Sequence, residues 1–522
     1  MKRQLEIILS PEKINDKSEL INTASKILKK STDEIKSVIV KKRSLDARKS
    51  PVYRILCDVY VNENPSAENK IISYIPVKSK KKVIIVGFGP GGMFAALRLI
   101  ELGIRPIVFE RGKDVQARRK DLRAIQQFHK VNPNSNYCFG EGGAGTYSDG
   151  KLYTRSTKRG DVNKILDIFV QHGANPEITI DAHPHIGSNK LPKIVKAIRE
   201  TIINCGGEIH FDSCITDFKF KNGKAEGVVV NDTEEFEGDS IIISTGHSAR
   251  DIIFLLHKKN IQLEQKPFAM GVRIEHPQAL INEIQYHTKG NTESLPAASY
   301  NISCNIDNRG VYSFCMCPGG IIVPAATSPG EVVVNGMSLS RRDSPFANSG
   351  FVVTVSESDT KKFEQHNPFS GVMLQQELEK LSFELANNST EDGQKAPAQR
   401  ATDFVKGKLS ATLPKSSYIP GLTSVPLHEV LPNFISSGIK QALLYFGKRM
   451  KGYLSDEAVL VGVESRTSSP IRVTRDKESL MSPQIEGLFP CGEGGGYAGG
   501  IVSAAIDGEN CANAAAKYIS AK

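Results

Sequence analysis

At 522 residues, with 39% hydrophobic and 24% charged residues, the chain has the composition of an ordinary globular protein of about three domains. It contains no apolar run near the roughly 18 residues of a membrane span, and its nine cysteines show neither CxxC spacing nor a paired framework. The start, MKRQLEIILSPEK, has too short an apolar run for a signal peptide, so a cytoplasmic protein with reduced thiols is expected.

The net charge of +10 is concentrated near the N-terminus, where residues 1–80 hold 17 Lys/Arg against 10 Asp/Glu and so contribute +7. An acidic partner such as RNA would explain this excess, but a solvated basic surface that only aids solubility is the simpler interpretation. The same segment contains the strand-like runs QLEIIL, SVIVKK and YRILCDVYV and the helical run SELINTASKILKK. These patterns predict a small basic α/β module over residues 1–78, which ends within the linker PVKSKKK.

The first chemical motif follows this linker. A strand-like KKVIIV precedes the turn GFGPGG, and an apolar helix and the strand RPIVF lead from there to Glu110, 21 residues beyond Gly89. This is the arrangement of a dinucleotide-binding unit, in which Gly87 permits the tight turn, Gly89 lets a diphosphate approach and Gly92 lets the helix pack on the strand. Glu110 would accept hydrogen bonds from ribose hydroxyls. A glycine-rich turn in an unrelated α/β unit is the alternative.

Three later segments add to this prediction. FGEGGAGTYSDGKL, residues 139–152, is a second glycine-rich loop, and IIISTGH, residues 241–247, is a buried strand that ends in Thr-Gly. CGEGGGYAGGIVSAAIDG, residues 491–508, has six glycines in its first ten residues and a helical run from about Ile501. Glycine in such density is entropically costly, so we expect backbone to lie against a bound group there. A helix with a small-residue packing face would explain the alanines but not the preceding glycines.

The motifs together resemble those of a known family. They are KKRSLDAR, GFGPGG, FGEGGAGTYSDGKL, PHIGSNKL, STGHSARD, KPFAMGVRIEHPQ, YSFCMCPGG, APAQR, ESRTSSPIR and CGEGGGYAGGIVSAA. Spread over nearly the whole chain, they are similar to motifs of bacterial FAD-dependent dehydrogenases of the glutathione-reductase-like flavoprotein superfamily, and more remotely of fumarate reductase and geranylgeranyl reductase flavoproteins. The resemblance implies FAD as the cofactor. The sequence shows no second GxGxxG for a nicotinamide dinucleotide, which argues against direct use of NAD(P)H.

The resemblance also implies which residues hold FAD. The 87–92 turn would bind the diphosphate and Glu110 the adenosine ribose, the backbone at Ile215 would face adenine, and the segments 139–152 and 492–501 would flank the ribityl chain and the isoalloxazine. The expected FAD-binding residues are Gly87, Gly89, Pro90, Gly91, Gly92, Glu110, Arg111, Gly142, Gly143, Ala144, Gly145, Ser148, Ile215, Thr245, Gly246, Gly492, Glu493, Gly499, Gly500 and Ile501. The positive end of the last helix would stabilise negative charge on reduced flavin.

The expected catalytic residues are Lys151, His185, Arg273, Cys315 and Cys317. Lys151 in SDGKL would support an anionic reduced flavin, or it would be an ordinary surface lysine. His185, with His183 beside it, would donate protons near the flavin or serve as a satisfied structural histidine.

Arg273 in GVRIE would bind a substrate carboxylate or pair with Glu275 across a strand end. Cys315 and Cys317 in YSFCMCPGG share one face if this run is a strand, and would be a strained dithiol, a nucleophilic thiol or, more simply, buried small residues. The sequence contains no HExxH, no clustered metal ligands and no nucleophile elbow, so no metal is expected.

The expected fold is α/β, with a doubly wound FAD-binding (Rossmann-like) domain over residues 79–262 and 461–522, an inserted α+β cap over 263–460 and the module 1–78. The expected function is FAD-dependent oxidation or reduction of an unidentified small substrate between the FAD domain and the cap, with an unknown electron donor or acceptor. Two alternatives stay open: a flavoprotein that binds or modifies RNA through the basic module, and a dinucleotide-binding protein without turnover.

Overall fold

The N-terminal segment forms a small antiparallel sheet with one helix. The computed structural model describes residues 1–65, 71–154, 157–287, 294–388 and 393–521. The elements of this segment are β1 (Lys2–Leu9), α1 (Lys17–Leu28), β2 (Ile35–Asp46) and β3 (Val52–Val61), and the strands lie in the order β1-β3-β2. Asp16 caps α1 by accepting from the N–H groups of Ser18 and Glu19, and Leu20 and Ala24 pack on the sheet. The strands and the helix predicted here are present.

The other elements follow in chain order. Up to residue 262 they are β4 (Lys82–Val86), α2 (Pro90–Glu101), β5 (Arg105–Phe109), α3 (Arg118–Phe128), α4 (Val162–Gln171), α5 (Leu191–Asn204), β6 (Glu208–His210), β7 (Ile215–Lys221), β8 (Lys224–Val230), β9 (Glu234–Glu237), β10 (Ser240–Ile243) and α6 (Arg250–Lys258). Beyond it they are β11 (Leu263–Gln265), β12 (Phe268–Pro277), α7 (Gln278–Tyr286), β13 (Ser303–Ile306), β14 (Arg309–Cys317), β15 (Gly320–Pro324), β16 (Val334–Ser338), β17 (Phe346–Val355), α8 (Ser370–Asn387), β18 (Ala396–Arg400), α9 (Ala401–Lys406), β19 (Leu422–Ser424), α10 (Leu427–Val430), α11 (Asn433–Arg449), β20 (Val459–Glu464), β21 (Ile471–Val473), β22 (Leu488–Pro490) and α12 (Ile501–Ser520). Within the described ranges, no helix combines the length and the apolar character that crossing a bilayer would require.

Five parallel strands in the order β22-β10-β4-β5-β6 form the sheet that the first motif enters. Alternate residues of β4 face opposite sides of this sheet. Val83 and Ile85 pack among the helices α2, α4, α5 and α12, whereas Ile84 and Val86 pack toward the β7–β8 hairpin and α6. Both faces are therefore covered, as is usual for a sheet of parallel strands. The predicted mixed α/β fold is confirmed.

A larger and mostly antiparallel sheet is built from the chain between α6 and β21. Its seven strands lie in the order β13-β14-β17-β12-β20-β18-β19. The central strand β12 is buried along its whole length except at Pro277, and helix α11 packs on the sheet through Ile435, Ile439 and Leu443. The predicted strands FAMGVRIEH and GVYSFCM and the predicted helix MLQQELEKLSFELA correspond to β12, β14 and α8.

A buried carboxylate, Glu379 on α8, joins this larger sheet region to the parallel-sheet region. Its oxygens lie 2.8 Å from Arg250 on α6 and 2.9 Å from Arg466, and they accept a hydrogen bond from Ser465 Oγ at 2.5 Å. Arg466 also reaches Glu331 at 3.0 Å. Burial alone would raise the pKa of Glu379, but the two guanidinium groups hold it well below the usual value of 4.5.

We expect Glu379→Gln to lower the free energy of unfolding at pH 7 by about 3–5 kcal/mol, because the guanidinium groups of Arg250 and Arg466 are left with one carboxylate, Glu331, for two positive charges. Glu379 stabilises the folded protein at pH values above its unfolded-state pKa. The difference in unfolding free energy between the wild type and Glu379→Gln should therefore narrow as the pH falls below 4.5. Denaturant unfolding at several pH values measures both effects.

The matched control is Glu377→Gln, two residues away on the same helix, because Glu377 is exposed and its partner is the exposed Lys362. That exposed pair should contribute less than about 1 kcal/mol. Equal unfolding free energies for the two variants would show that Glu379 does not join the two regions as described.

Candidate functional site

The GFGPGG turn is packed so closely that side chains are excluded from it. Gly87 has φ +98°, and a Cβ there would lie 2.5 Å from the carbonyl oxygen of Ser244. A Cβ on Gly92 would lie 2.0 Å from the carbonyl oxygen of Gly87. Helix α2 begins at Pro90, and its N-cap, Gly89, supplies no side-chain cap. The N–H groups of the first helical turn have no acceptor within the helix, so the turn fits a diphosphate.

Glu110 ties this turn to the second glycine-rich loop. Its buried carboxylate accepts from the N–H groups of Phe88 at 2.9 Å, Gly112 at 3.0 Å and Gly140 at 2.9 Å. A carboxylate has about four acceptor sites, so one remains for a ribose hydroxyl. Glu110 therefore has an organising role that its spacing in the sequence did not reveal.

Arg111 and Ile215 lie together at one end of the parallel sheet. The Arg111 guanidinium is 3.1 Å from the sulfur of Cys214, pairs with Asp251 and covers the ring of Phe139 at 4.6 Å. Ile215, at the start of β7, is buried next to Cys214. The flat, partly apolar surroundings of Arg111 are suited to a purine ring.

A residue that the sequence analysis missed, Arg118, holds the second glycine-rich loop. Its guanidinium is fully buried and donates to the carbonyl oxygens of Asn136 at 2.8 Å, Glu141 at 2.9 Å, Gly143 at 2.9 Å and Tyr137 at 3.0 Å. Arg118 stands on a helix between the two glycine motifs, and no sequence pattern connects it with the loop. One side chain thus satisfies four carbonyl groups of an irregular segment.

The second glycine-rich loop contacts both other glycine segments. A Cβ on Gly143 would lie 3.1 Å from the Cα of Gly89, and a Cβ on Gly145 would lie 3.1 Å from the side chain of Ile501. The N–H of Gly142 donates to the carbonyl oxygen of Phe88, Ala144 lies within the 3₁₀ turn between these glycines, and Ser148 Oγ donates to the carbonyl oxygen of Gly145 at 2.7 Å. The predicted binding segments therefore meet.

The C-terminal glycine segment is held by its own helix and by the end of β10. The N–H of Gly492 donates to Asp507 of α12 at 2.8 Å, and Arg475 pairs with the same carboxylate at 2.7 Å. A Cβ on Gly494 would lie 2.7 Å from the carbonyl oxygen of Gly246. Beside it, Glu493 lies 3.3 Å from the ring of His247, and Thr245 Oγ1 lies 3.4 Å from the Gly246 carbonyl oxygen.

The end of this segment is open. Helix α12 begins at Ile501 as predicted, and a Cβ on Gly499 or Gly500 would meet no atom within 4 Å. A side chain on the GFGPGG turn would therefore meet backbone, whereas a side chain at residues 499–500 would point into open space. That shape fits a dinucleotide that lies against main chain at its diphosphate and has a bulkier ring at one end.

Four of the five predicted catalytic residues form one cluster. Lys151 is half-buried rather than a surface lysine, and its ammonium group donates to the carbonyl oxygen of Met316, between Cys315 and Cys317. Burial alone would lower the pKa of Lys151, but the two cysteines and Asp149 raise it, so the lysine is charged. His185 is attached to this cluster through a backbone bridge with Lys151.

Arg273 belongs to the cluster and is fully buried, and it pairs with Glu464, so the alternative in which it pairs with Glu275 is wrong. Its five donors go to Asn348 Oδ1, Glu464 Oε2, Asn335 Oδ1, the carbonyl oxygen of Cys315 and the sulfur of Cys317. Glu464, from the neighbouring strand β20, is the partner at 2.9 Å, whereas Glu275 accepts from Ser417. With its donors used inside the protein, Arg273 positions the cysteine pair and has none to offer a substrate carboxylate.

Cys315 and Cys317 lie where strand β14 is irregular. The pairing of β14 with β17 shifts between Phe314 and Cys317, and Cys315 has φ +45°. Cys317 is fully buried, Cys315 is half-buried, and both are free thiols. The expectation that both side chains share the face of a regular strand is therefore replaced by an irregular strand end in which the Cys317 sulfur lies 3.3 Å from the Cys315 carbonyl oxygen.

His183 and His185 line a cleft of about 1400 Å³ between the N-terminal sheet, the segment 177–185 and the larger sheet region. Arg43 of β2 pairs with Asp181 at 2.7 Å on one wall, and Arg342 lines the other. Burial, and then Arg342, lower the pKa of His185, so its imidazole is neutral at pH 7. The cleft approaches the cluster through His185, whose backbone pairs with that of Lys151.

Three buried groups that could ligate a cation, Cys491, Asp507 and Cys511, have their ligand atoms within 4.8 Å of one another. Asp507 is already committed to Arg475 and to the N–H of Gly492. A cation there would face a guanidinium, so this group has a structural explanation.

Comparison with known proteins identifies the family of this chain. Residues 267–467 match the family model described as FAD-dependent protein, C-terminal domain-like, and residues 1–60 match a domain of unknown function. An uncharacterized protein of Clostridium beijerinckii is 40% identical over 504 residues, which cover 92% of this chain and 93% of that protein. The chain belongs to the same family as this protein.

Two further similarities are weaker. This chain is 26% identical over 221 residues to an FAD-dependent monooxygenase of Hypoxylon pulicicidum, nodY2. The match covers 40% of this chain and 45% of that protein. The crystal structure of CtdE in complex with FAD and substrate overlaps 84% of both chains, at 11% identity and a TM-score of 0.35. The family match to FAD-dependent proteins confirms the predicted cofactor, FAD.

We expect Glu110→Ala to lower both the FAD content of the purified protein and the thermal stability of the FAD-free protein. Three backbone N–H groups lose a charged acceptor, and each such bond is typically worth about 1.5–3 kcal/mol. Absorbance of bound flavin and thermal unfolding after cofactor removal measure the two effects separately.

The control is Glu234→Ala, because Glu234 is exposed on β9. This variant should match the wild type in both measurements. A Glu110→Ala protein that unfolds like the wild type without FAD would contradict the organising role of Glu110.

Proposed function

We propose that this protein is an FAD-dependent oxidoreductase of the glutathione-reductase-like type, which oxidises or reduces a small substrate. The observation that carries this proposal is the mutual contact of four glycine-containing segments, 87–92, 139–152, 245–246 and 492–501, at one edge of the parallel sheet. A structural glycine turn alone would explain the first segment but not the convergence of all four.

The proposal includes a division of the chain. Residues 79–262 and 461–522 form the doubly wound FAD-binding domain, residues 263–460 form an inserted cap, and residues 1–78 form the basic module. Three observations support it: the parallel sheet takes β22 from the C-terminal part, the larger sheet has a hydrophobic core of its own, and so has the N-terminal sheet. The segment 263–460 also nearly coincides with the family match at 267–467.

In the proposed complex, the N–H groups of Gly91 and Gly92 bind the diphosphate, and the remaining acceptor site of Glu110 binds a ribose hydroxyl. The backbone near Ile215 faces the adenine, and the open residues 499–501 face the isoalloxazine. FAD supplies the capacity to accept or deliver two electrons. The glycine segments of the chain would position this group, and the ammonium of Lys151, with the ring beside it, would favour negative charge on the reduced ring.

The substrate reaches this site through the cleft that His185 and Arg342 line. Its volume of about 1400 Å³ exceeds the roughly 300–1,000 Å³ of usual small-molecule sites, so it has room for a substrate and for its exchange with solvent. The neutral imidazole of His185 accepts a proton from the substrate during oxidation. The partial similarity to an FAD-dependent monooxygenase supports oxidoreductase chemistry of this general kind.

The ion pairs of the basic module bear on a possible RNA-binding function. Arg54 pairs with Glu6 and Asp46, Lys2 pairs with Asp58, and Arg43 is committed to Asp181 across the cleft wall. Glu6, Asp46 and Asp58 are already counted in the net charge of +7, and only Asp181 lies outside residues 1–80, so these pairs offset little of the excess positive charge. RNA binding and a binding role without turnover remain predictions.

The experiment that tests the proposed function is an anaerobic screen of the FAD-bound protein with reductants and metabolites. We expect at least one class of donor to bleach the visible flavin absorbance, and the oxidised flavin to return when an acceptor is added. A bound flavin that no biological donor reduces would favour the role without turnover.

We expect Gly499→Asp to lower the midpoint potential of the flavin, because a carboxylate would oppose the positive end of α12 and the negative charge of reduced flavin. A helix-end effect of about 0.3–2 kcal/mol corresponds to roughly 6–40 mV for two electrons. Redox titration against indicator dyes measures the shift.

The control is Gly499→Ala, which adds a side chain without charge where there is open space and no left-handed backbone. Gly500 is unsuitable for this comparison because its φ is +133°. We expect Gly499→Ala to keep the wild-type potential. If Gly499→Asp also keeps it, with full FAD content, then this segment does not face the flavin.

A further inference from the structure

Arg342, in the loop between β16 and β17, has a backbone conformation that arginine rarely adopts. Its φ is +53°, and a Cβ on Gly319 would overlap its carbonyl oxygen, so the two stretches of backbone are in close contact. The same loop is held from another side at Ser340, whose N–H donates to Asn189 Oδ1 at 2.9 Å and whose hydroxyl accepts from Asn189 Nδ2 at 3.2 Å. A non-glycine residue keeps a left-handed conformation only where its surroundings impose it, and such residues are concentrated at binding sites.

The guanidinium of Arg342 is oriented by one carboxylate and keeps one nitrogen for a ligand. Its Nη2 donates to Asp149 Oδ2 at 2.6 Å and its Nε donates to Asp149 Oδ1 at 3.1 Å. Asp149 is 1% exposed and also accepts from Ser338, so this contact lies inside the protein. The third nitrogen, Nη1, has no hydrogen-bond partner in the described part of the chain. Because the Arg342 side chain is 16% exposed and lines the cleft, the two N–H groups of Nη1 are available there.

His185, which lines the same end of the cleft, has a different role. Its Nε2 donates to the carbonyl oxygen of Ser340 at 3.3 Å, and burial and then Arg342 lower its pKa, so the ring is neutral at pH 7. The ring nitrogen that remains, Nδ1, is then an acceptor. An acceptor does not bind an oxyanion. At this end of the cleft Arg342 is therefore the group that binds an oxyanion, and His185 is left free to accept a proton.

Charge in the cleft is arranged rather than in excess. The lining contains five Lys/Arg and three Asp/Glu residues, and the carboxylates of Asp46 and Asp149 pair with two of these cations from outside the lining. The whole is thus close to neutral and has no general attraction for anions. An oxyanion is selected locally, because the carboxylate that orients Arg342 lies on the side away from the cleft.

The N-terminal module forms one wall of this cleft. Arg43 of β2 exchanges two backbone hydrogen bonds with residues 180 and 182, at 2.7 and 2.9 Å, and its guanidinium pairs with Asp181. Leu45 and Ala47 pack against the core of the larger sheet. The module, which matches a domain of unknown function over residues 1–60, therefore supplies a wall between the other two regions.

The lining also includes apolar side chains from both walls. Leu45 comes from the module, and Leu280, Ile284, Leu295 and Met450 come from the larger sheet region. Apolar surface of this kind is stabilised when an apolar part of a ligand covers it. A ligand that matches the cleft therefore has an oxyanion at one end and an apolar body.

We propose that the cleft binds a small amphipathic molecule by its oxyanion, a carboxylate or a phosphate, which Arg342 holds while residues 43–53 of the N-terminal module cover its apolar part. This inference rests on the proposed function, since the bound molecule is taken to be the substrate of the FAD site. It goes beyond that function by naming the chemical class of the substrate and by giving the N-terminal module a role in binding it.

The test is isothermal titration calorimetry of the FAD-bound protein with octanoate, octyl phosphate and octanol, which share one chain length. We expect the better of the two oxyanion probes to bind the wild type at least about tenfold more tightly than octanol, and the comparison of the two shows which oxyanion is preferred. Arg342→Gln should weaken the oxyanion probes at least about tenfold, the loss expected for a hydrogen bond to a charged group, and change octanol binding less than twofold. The matched control is Arg449→Gln, an exposed arginine that lines the same cleft, which should change all three affinities less than threefold.

A second variant keeps the test valid if Arg342→Gln does not fold, because that variant removes a cation from the buried Asp149. Arg342→Lys keeps a cation for Asp149, but an ammonium lacks the planar fork that pairs with a carboxylate on one side and donates on the other. We expect Arg342→Lys to unfold near the wild-type temperature and to bind the oxyanion probes at least about fivefold more weakly.

The role of the module is tested by Leu45→Ala, which removes apolar surface from the wall. It should weaken all three probes alike, by at least about threefold. Its control is Val38→Ala on the same strand, because Val38 packs in the core of the module itself and does not line the cleft. That variant should leave the three affinities unchanged. Leu45→Ala with wild-type affinities would overturn the role of the module.

The remaining outcomes separate this inference from the proposed function. Octanol binding as tightly as both oxyanion probes, wild-type oxyanion affinity in Arg342→Gln or Arg342→Lys, or a loss in Arg449→Gln instead, would each overturn the inference. So would a flavin that is reduced by a donor whose KM is the same in the wild type and in Arg342→Gln, and that result would leave the oxidoreductase proposal standing. Oxyanion binding that depends on Arg342, in a protein whose flavin no donor reduces, would support the binding site and overturn the proposed function.

Discussion

The arrangement of the site depends on one buried guanidinium. Residues 136–145 form no strand or long helix, so their buried carbonyl groups need hydrogen-bond donors from other parts of the chain. Arg118 provides donors for four of these carbonyls, and Glu110 accepts from the N–H of Gly140 in the same loop. This loop contacts the 87–92 turn and α12, and the chain continues from it to Lys151 beside the cysteine pair, so its position determines how the three lie relative to one another.

The parallel sheet supplies the second constraint. The carboxyl ends of β4, β5, β10 and β22 meet at one edge, and within two residues of these ends stand Gly87, Glu110, Ser244 and Gly492. Ligands of open α/β sheets bind at this edge, because loops there are free to vary while the strands hold them in place. The pairing of β10 with β22 explains how residues more than 400 positions apart in the chain, at 87 and 492, come to share one site.

Local patterns in the sequence were sufficient for much of this arrangement. The strand–turn–helix pattern and the acid 21 residues beyond Gly89 located the turn and Glu110, and glycine density located the two later segments and the start of α12. These signals are local, since each depends on backbone conformation or on spacing within one supersecondary unit.

What the sequence could not provide are the partners of buried charges. Arg273 lies 191 residues from Glu464, and Arg466 lies 87 residues from Glu379, so each pair exists only because two distant elements pack together. The same applies to Arg118, whose four acceptors are backbone atoms that carry no residue-specific signal. The irregularity at Cys315 was also hidden, because alternation in a strand predicts which face a side chain takes but not where the strand departs from regularity.

The most direct test of the account is a crystal structure of the protein with FAD bound and the cysteines reduced. We predict the diphosphate at the N–H groups of Gly91 and Gly92, a ribose hydroxyl on Glu110, and the isoalloxazine between residues 499–501 and the Lys151–Cys315 cluster. An isoalloxazine ring bound away from this cluster, or a diphosphate away from the 87–92 turn, would contradict the account.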